Sequence, residues 1–141
     1  MFAKRVLFLC TGNSARSQMA EALMRHLGGG RVDAFSAGTH PRAAVHPMAV
    51  ETLRRNKVPA HGLMPKDVST FGDQSFDYVI TVCDRAREEC PVMPSAEMIH
   101  WSFADPAEET DRDKQSRAFT HVFVGLEKRI RLLLAVIDKP T

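Results

Sequence analysis

The stretch Cys10-Thr11-Gly12-Asn13-Ser14-Ala15-Arg16-Ser17 decides the fold, because it joins two segments with different hydrophobic patterns. The apolar run at residues 6–9 predicts a buried strand, and residues 18–24 predict the first turns of a helix. A helix that begins directly after such a loop points its unpaired N–H groups into the loop, and successive loop amides add a concave nest. The stretch therefore predicts an anion-binding loop between a strand and a helix.

Two side chains of this loop suggest chemistry. Arg16 carries a fork of donors that matches a tetrahedral oxyanion, and the positive field of the loop favours the thiolate form of Cys10. Cys-x5-Arg alone occurs by chance, and a buried Cys at a strand end is often only a small hydrophobe. Because the preceding strand and the loop residues agree, we interpret Cys10 as a nucleophile beside an oxyanion cradle. The cradle is formed by Thr11, Gly12, Asn13, Ser14, Ala15, Arg16 and Ser17.

Composition indicates a single soluble domain over residues 1–141. The chain is 44% hydrophobic and 26% charged, with a net charge of +2, and its interspersed charges argue against a nucleic-acid partner. No apolar run reaches membrane length, and residues 1–9 are too short for a signal peptide. Three cysteines without a CxxC pair argue against a disulfide framework or a zinc ribbon. We therefore expect a monomer in the reducing cytoplasm, away from membranes.

The hydrophobic pattern along the chain predicts an α/β fold. Strands are expected at residues 6–9, 32–37, 76–82 and 98–103, and helices after the loop to residue 28, at 47–56, 84–90 and 111–138. A short helix is expected at 66–71. Strands that alternate with helices predict a parallel sheet between helical layers, and the common strand order for a sheet of this size is 2-1-3-4.

Cys83 and Cys90 form a second group of interest. In the order 2-1-3-4, Cys10 and Cys83 end neighbouring strands about 4.8 Å apart, so a disulfide between them is geometrically reasonable. If residues 83–90 are helical, the Cα atoms of Cys83 and Cys90 lie about 10.5 Å apart, beyond disulfide reach. Pairing these two cysteines requires the segment to unwind. The alternative is that they are two unrelated buried cysteines.

Asp105 is the candidate acid. A carboxyl group in the loop after the fourth strand could protonate an oxygen that leaves the anion, or deprotonate Cys10. Asp-Pro is also a common start of a turn, so a purely structural role stays open. A zinc site built from the three cysteines and one of the histidines is a further alternative, although the histidines show no metal-ligand spacing.

The chain resembles the thioredoxin-coupled arsenate reductases, which share the low-molecular-weight protein tyrosine phosphatase fold. The resemblance covers nearly the whole sequence. It rests on residues 10–21, on Ser36-Ala37-Gly38, on Cys83 and Cys90, and on His100-Trp101 ahead of Asp105-Pro106. It implies a four-stranded parallel sheet flanked by helices.

The resemblance also implies a role for each site residue. Cys10 attacks arsenate held by the loop amides and Arg16, Ser17 hydrogen-bonds the Cys10 thiolate, and Asp105 protonates the departing oxygen. Cys83 then attacks Cys10 and releases arsenite. Cys90 attacks Cys83 in turn, which leaves a Cys83–Cys90 disulfide for thioredoxin. The two electrons come from thiols, so this relay implies no bound redox cofactor.

Two features differ from the family pattern. Many relatives have a cysteine where this chain has Ala15, which is not a member of the relay. Some relatives bind potassium through residues that match Asn13, Glu21, Ser36 and Asp67, so a potassium ion is a possible cofactor here. The adjoining residues 63–65 differ from the polar segment of those proteins.

Two other functions stay open. A small phosphatase on the same fold would use Cys10, Arg16 and Asp105 and ignore the other two cysteines. Such phosphatases usually carry Pro where this chain has Gln18, and an aromatic residue where it has Ala107. A non-catalytic oxyanion-binding module is the third possibility.

Overall fold

Strands and helices alternate along the chain. The computed structural model describes residues 3–90, 93 and 95–138. In chain order the elements are β1 (Lys4–Cys10), α1 (Arg16–Gly28), β2 (Val32–Gly38), α2 (Pro47–Arg55), β3 (Tyr78–Thr81), α3 (Asp84–Glu89), β4 (Glu97–His100) and α4 (Arg112–Ile137). Single 3₁₀ turns lie at Gly29–Arg31, Val68–Phe71 and Pro106–Glu108.

The described strands form one parallel sheet in the order β2-β1-β3-β4. The predicted α/β fold and strand order are confirmed. Strand β1 is central, and its residues Val6, Leu7, Phe8 and Leu9 are all 0% exposed. A strand covered on both faces is apolar at every position rather than at alternate ones, which is the pattern of this run. The carboxyl ends of β1 and β3 therefore lie side by side at one edge of the sheet.

The helices complete the core. Helix α1 packs against β1, β2 and α4, and α3 contacts β1 and β3. The apolar stripe predicted for the last helix is buried along α4, at Phe119, Val122, Phe123, Leu126, Ile130, Leu133 and Leu134. Asp111 caps α4, since its carboxylate accepts a hydrogen bond from Lys114 N at 3.0 Å. In the described part of the chain, no helix is long and apolar enough to cross a membrane.

The third and fourth strands are shorter than the hydrophobic runs predicted. Strand β4 ends at His100, although the apolar pattern continues to residue 103. Trp101 N donates to Thr81 O at 2.8 Å, and Phe103 N donates to Val82 O at 3.3 Å. Two residues after β4, from Trp101 to Phe103, thus pair with a step of only one residue after β3, from Thr81 to Val82. This shift in register ends the regular ladder. The slip matters for the site, because it leaves the Phe103 carbonyl outside the sheet.

Candidate active site

The loop after β1 is held from outside by the segment at residues 39–46. Backbone N–H groups of this segment donate to carbonyl oxygens of the loop at 2.9–3.2 Å. Because the carbonyl oxygens are engaged on the outer side, the loop amides are left to face inward as a nest. The donor and acceptor pairs are Thr39 with Cys10, His40 with Thr11, Arg42 with Gly12, and His46 with Ser14.

Two backbone positions allow this close packing. Asn13 has φ 48°, the left-handed conformation that its sequence position predicts. Gly38 lies directly under the loop, where a Cβ atom would be 2.7 Å from Thr11 O and 3.0 Å from Asn13 Cβ. A side chain at Gly38 would therefore push the loop away from the end of β2.

Cys10 is buried at the base of this nest, with 2% of its surface exposed. Its sulfur accepts a hydrogen bond from Asn13 N at 3.2 Å and lies 2.8 Å from Ser17 Oγ. Asn13 Nδ2 donates to the same Ser17 oxygen at 2.7 Å, so the Ser17 hydroxyl proton is directed to the sulfur. The predicted contact between Ser17 and Cys10 is confirmed. Two donors therefore point at one sulfur.

Arg16 and Asp105 lie on the opposite wall. Arg16 Nη1 donates to Phe103 O at 2.9 Å, which fixes the guanidinium at the start of α1. Arg16 Nη2 is 4.0 Å from Asp105 Oδ2, and the two side chains are 12% and 22% exposed. Asp105 Oδ1 accepts a hydrogen bond from Ala107 N at 3.0 Å, so the second carboxylate oxygen faces Arg16. The acid and the guanidinium therefore border the same space.

That space is a cavity of about 560 Å³, lined by Cys10, Arg16, Asp105 and Cys83 among others. Cys83 follows β3 and is buried, and its sulfur lies 3.3 Å from Thr11 Oγ1. Strands β1 and β3 are direct neighbours, and Val82 N donates to Leu9 O at 2.8 Å. The structure thus places the second sulfur on the same side of the sheet as the first, at the mouth of the nest.

Cys90 lies at the other end of α3, immediately after Glu89. A fully helical separation of seven residues corresponds to about 10.5 Å between Cα atoms, and α3 covers Asp84–Glu89 with Cys83 and Cys90 flanking it. Burial raises the pKa of the Cys90 thiol. No disulfide joins Cys10, Cys83 and Cys90 in this structure. The helix predicted between Cys83 and Cys90 is therefore present.

Helix α3 is held mainly by polar contacts at its surface. Only Ala86 is buried among its six residues. At its start, Asp84 Oδ1 lies 2.9 Å from His100 Nε2, and at its end Glu89 Oε2 lies 2.7 Å from His40 Nε2. These hydrogen bonds are the largest causes that lower the pKa of each carboxyl group. Ser102 adds to the effect at Asp84, and Arg85 adds to it at Glu89.

The residues predicted to bind potassium are only partly brought together. Ser36 Oγ lies between Asn13 Nδ2 at 3.0 Å and Glu21 Oε1 at 2.9 Å. Asp67 is exposed, and its Oδ1 accepts from Ser69 N at 2.9 Å in the cap of a 3₁₀ turn. In residues 3–90, 93 and 95–138, no group of three or more His, Cys, Asp or Glu side chains is placed to hold a metal ion, although potassium also accepts amide, hydroxyl and carbonyl oxygens.

His46 is a site residue that sequence reasoning did not identify. It precedes Pro47, and its Nδ1 accepts a hydrogen bond from Met48 N at 3.0 Å as the cap of α2. The ring proton of neutral His46 is therefore on Nε2, and the side chain borders the cavity. Burial lowers the pKa of His46, while the charge of Asp105 acts in the opposite direction. A histidine directly before a first-turn proline was the available signal.

Comparisons with known proteins agree with this geometry. The sequence model of the family "Low molecular weight phosphotyrosine protein phosphatase" matches residues 5–141. The chain is 36% identical over 133 residues to an arsenate reductase of Halalkalibacterium halodurans, covering 93% of this chain and 95% of the relative.

Two solved structures extend the similarity to the fold. A thioredoxin-dependent arsenate reductase of Corynebacterium glutamicum has a TM-score of 0.78 and 31% identity, over 96% of this chain. The chain spans 62% of the length of that protein. A structure of an arsenate reductase in the oxidised state has a TM-score of 0.82 and 26% identity, over 96% of this chain and 99% of the other.

Proposed function

Because the chain belongs to the low molecular weight phosphotyrosine protein phosphatase family and matches arsenate reductases over most of its length, we propose that it is a thioredoxin-coupled arsenate reductase. One observation carries the proposal. A buried thiol in an anion nest shares its cavity with a second thiol, and a third lies beyond a short, weakly held helix. A phosphatase needs the first of these sulfurs and has no use for the other two.

In the first step the Cys10 thiolate attacks arsenate. The amides of the loop and the Arg16 guanidinium hold the oxyanion oxygens. A sulfur–arsenic bond forms, and one arsenic–oxygen bond breaks. Asp105, which borders the cavity beside Arg16, donates the proton with which that oxygen leaves as water. The product is an arsenic(V) thiol adduct on Cys10.

In the second step the Cys83 thiolate attacks the Cys10 sulfur. A Cys10–Cys83 disulfide forms, and the sulfur–arsenic bond breaks with its electron pair going to arsenic. Arsenic(V) is thereby reduced to arsenic(III), and two thiols are oxidised to one disulfide. Both sulfurs are buried at the ends of adjacent strands and line one cavity, which supports this transfer.

In the third step Cys90 attacks Cys83, which expels Cys10 as thiolate and leaves a Cys83–Cys90 disulfide. We expect α3 to unwind in this step, because a helical rise across this span would keep the two Cα atoms about 10.5 Å apart, beyond disulfide reach. Unwinding also carries the disulfide toward solvent, where a thioredoxin dithiol reduces it. Such a relay needs a reducing compartment, so we place the chain in the cytoplasm, where it acts as a monomer.

The test is NADPH consumption with thioredoxin, thioredoxin reductase and arsenate. We expect steady turnover that Cys10→Ser, Cys83→Ser and Cys90→Ser each abolish. Single-turnover arsenite release separates the three. Cys90→Ser retains one arsenite per chain and stops at a Cys10–Cys83 disulfide, whereas the other two variants release none. Turnover that is indifferent to Cys90→Ser would contradict the third step.

Phosphatase activity is the second candidate, favoured by the shared cavity of Cys10, Arg16 and Asp105 and by the family itself. Phosphate and arsenate have similar shape and charge, so a slow side reaction on phosphotyrosine is expected. Strong phosphotyrosine hydrolysis without arsenate-dependent turnover would identify the phosphatase instead. Tight oxyanion binding without either activity would indicate a binding module.

A further inference from the structure

Beneath the loop lies a buried carboxylate that the reaction steps above do not use. Glu21 is on α1, and 2% of its side chain is exposed. Its Oε2 pairs with Arg25 Nη1 at 2.9 Å, and its Oε1 accepts a hydrogen bond from Ser36 Oγ at 2.9 Å. A buried ionised carboxylate is costly unless it is paired and hydrogen-bonded, so the groups around Glu21 must supply positive charge.

The Asn13 side chain connects this carboxylate to the loop. Its Oδ1 accepts from Lys66 N at 2.9 Å, which fixes the orientation of the amide. Both Nδ2 protons are then used, one on Ser36 Oγ at 3.0 Å and one on Ser17 Oγ at 2.7 Å. Each serine oxygen therefore accepts from Asn13 and directs its own proton outward.

The directions of these hydrogen bonds run from Asn13 to both ends of the network. The Ser36 proton goes to Glu21, and the Ser17 proton goes to the Cys10 sulfur at 2.8 Å. The Glu21 acceptor thus orients the Ser36 hydroxyl, and Ser36 helps to orient the Asn13 amide. Because Asn13 donates to Ser17, the Ser17 hydroxyl can donate only to the Cys10 sulfur. The charge state around Glu21 is coupled to the nucleophile through an ordered chain.

The side chain of Lys66 lies where a cation would have to neutralise this carboxylate. Its Nζ is 3.7 Å from Glu21 Oε1 and donates to Met64 O at 2.7 Å, and its side chain is 23% exposed. The carbonyl of Met64 also accepts from Gln18 Nε2 at 2.8 Å. The ammonium group is therefore held between a carboxylate and a carbonyl, the two kinds of oxygen that would otherwise ligate an alkali ion.

A potassium ion does not fit these residues. Potassium is held by a shell of oxygen atoms that replaces its water, and here the oxygens of Glu21, Ser36 and Asn13 already accept hydrogen bonds. Two like charges in contact at a partly buried site repel each other, because little water lies between them to screen the repulsion. An ion beside Glu21 would meet this repulsion from Lys66.

We propose that the Lys66 ammonium takes the place of a monovalent cation beneath the loop, so that the Cys10 site is assembled without bound potassium. Lys66 is then a positioning residue, which acts on Cys10 through Glu21, Ser36, Asn13 and Ser17. The inference rests on the reactive role of Cys10 in the proposed function. It adds that the charge which completes the site belongs to the chain itself.

The experiment measures the alkylation rate of Cys10 by iodoacetamide in a Cys83→Ser/Cys90→Ser chain. Potassium, sodium and choline chloride are compared at equal ionic strength. With Lys66 present we expect the same rate in all three salts. Lys66→Met should lower the rate several-fold in choline, and potassium or methylammonium should recover part of the loss. Lys66→Arg keeps the charge and should retain most of the rate, and Lys128→Met, at an exposed site on α4, should change nothing.

Three results would overturn the proposal. A saturable increase of the rate with potassium in the chain that retains Lys66 would show that an ion is still required. A Lys66→Met rate equal to that of the parent in every salt would show that the ammonium has no role. If neither potassium nor methylammonium restores the alkylation rate lost in Lys66→Met, Lys66 contributes through packing and not through its charge.

The readout does not depend on the reductase. If Lys66→Met does not fold, the salt comparison on the parent chain still tests whether an ion is required, and Lys66→Arg still tests the ammonium position. Absence of arsenate turnover would contradict the proposed function and leave the alkylation result unaffected. The two failures are therefore distinguishable.

Discussion

The loop at residues 10–17 and the segment at residues 83–90 carry the reactive sulfurs, and they are built in opposite ways. In the loop, Asn13 and Ser17 are 0% exposed, and carbonyl oxygens are tied to the segment at residues 39–46. In the second segment, Ala86 is the one buried residue of α3, and surface pairs hold the helix at each of its ends. The loop is therefore ordered before substrate binds, whereas α3 can detach from the sheet at a small cost in free energy.

This difference matches what each sulfur must do. A nest that binds an oxyanion gains affinity when its donors are already in place, since no ordering is then needed on binding. Cys90 must instead approach Cys83 to within disulfide distance, and a folded α3 between them prevents this approach. Segments with few buried apolar contacts open at low free energy. Substitutions in the loop or around α3 can therefore test this contrast.

The largest effect is expected from Gly38→Ala, which attacks the fixed region. The added Cβ would lie 2.7 Å from Thr11 O, a contact that requires the backbone to shift. We expect a loss of about 1–3 kcal/mol in the free energy of unfolding, together with loss of phosphate and arsenate binding. Urea denaturation and calorimetric titration with phosphate measure the two.

Gly30→Ala is the matched control for this change. A Cβ at Gly30 meets nothing within 4 Å, so the same added methyl group should be tolerated. If both variants lost oxyanion binding equally, close packing under the loop would not be the cause.

The second prediction concerns Ser17→Ala, which removes one of the two donors to the Cys10 sulfur. A hydrogen bond to a charged group contributes about 1.5–3 kcal/mol, so alkylation of Cys10 by iodoacetamide should slow roughly tenfold or more when the hydroxyl is removed. Timed alkylation of the Cys83→Ser/Cys90→Ser chain measures this rate.

Ser116→Ala on α4 is the control, because its hydroxyl contacts only Arg55 among the recorded hydrogen bonds of the described residues. An unchanged alkylation rate in Ser17→Ala would show that the Asn13 amide and the loop field suffice without the hydroxyl.

A smaller effect is expected at the movable region from His40→Ala. This change removes the hydrogen bond that holds Glu89 at the end of α3. Exposed pairs of this kind contribute little, so global stability should hardly change. Local opening should increase, and because burial raises the pKa of Cys90, opening should speed its alkylation a few-fold.

The comparison for this variant is His121→Ala, at an exposed site on α4. Peptide mapping after timed alkylation gives the rate at Cys90 in each. Equal rates in both variants would mean that the histidine does not restrain α3.

The smallest effect is a response of α3 to acid. Hydrogen bonds lower the pKa of both Asp84 and Glu89 below their ordinary values of 3.8 and 4.5. A lowered folded-state pKa means that the stabilisation is complete above the ordinary value and is lost as pH falls through the folded value. Docking by these carboxylates should therefore be constant above about pH 5 and weaken in stronger acid.

Hydrogen exchange, corrected for its intrinsic pH dependence, measures the protection of α3 against that of α1. If exchange protection of α3 falls in acid while that of α1 is unchanged, the predicted direction of the pH dependence is confirmed. Loss of α3 protection as the pH rises from 5 to 7 would contradict it.

The sequence was sufficient for the fold and for the position of each sulfur. A continuous apolar run before Cys10 identifies a central strand, and the alternation of strands and helices leaves few topologies. The loop conformation of Asn13 and the cap at Asp67 also follow from local rules. These features depend on neighbours in the chain, which is why they can be read from it.

Other features depend on residues far apart in sequence, and these were missed. The early end of β4 results from a slip against β3, which the apolar pattern at residues 98–103 cannot show. The hydrogen bonds from residues 39–46 to the loop, and the position of His46 at the cavity, arise from folding that segment across β1. The side chain of Lys66 reaches Glu21 across 45 positions of sequence, so no local pattern indicates it.

The most direct test of the contrast is hydrogen exchange by mass spectrometry on the reduced chain and on the chain after one turnover with arsenate, without thioredoxin. We predict a Cys83–Cys90 disulfide in the product, with protection lost across residues 84–90 and retained across residues 11–17. Retained protection of α3 together with that disulfide, or a product that stops at Cys10–Cys83 in the unmodified chain, would contradict a fixed first site served by a helix that unwinds.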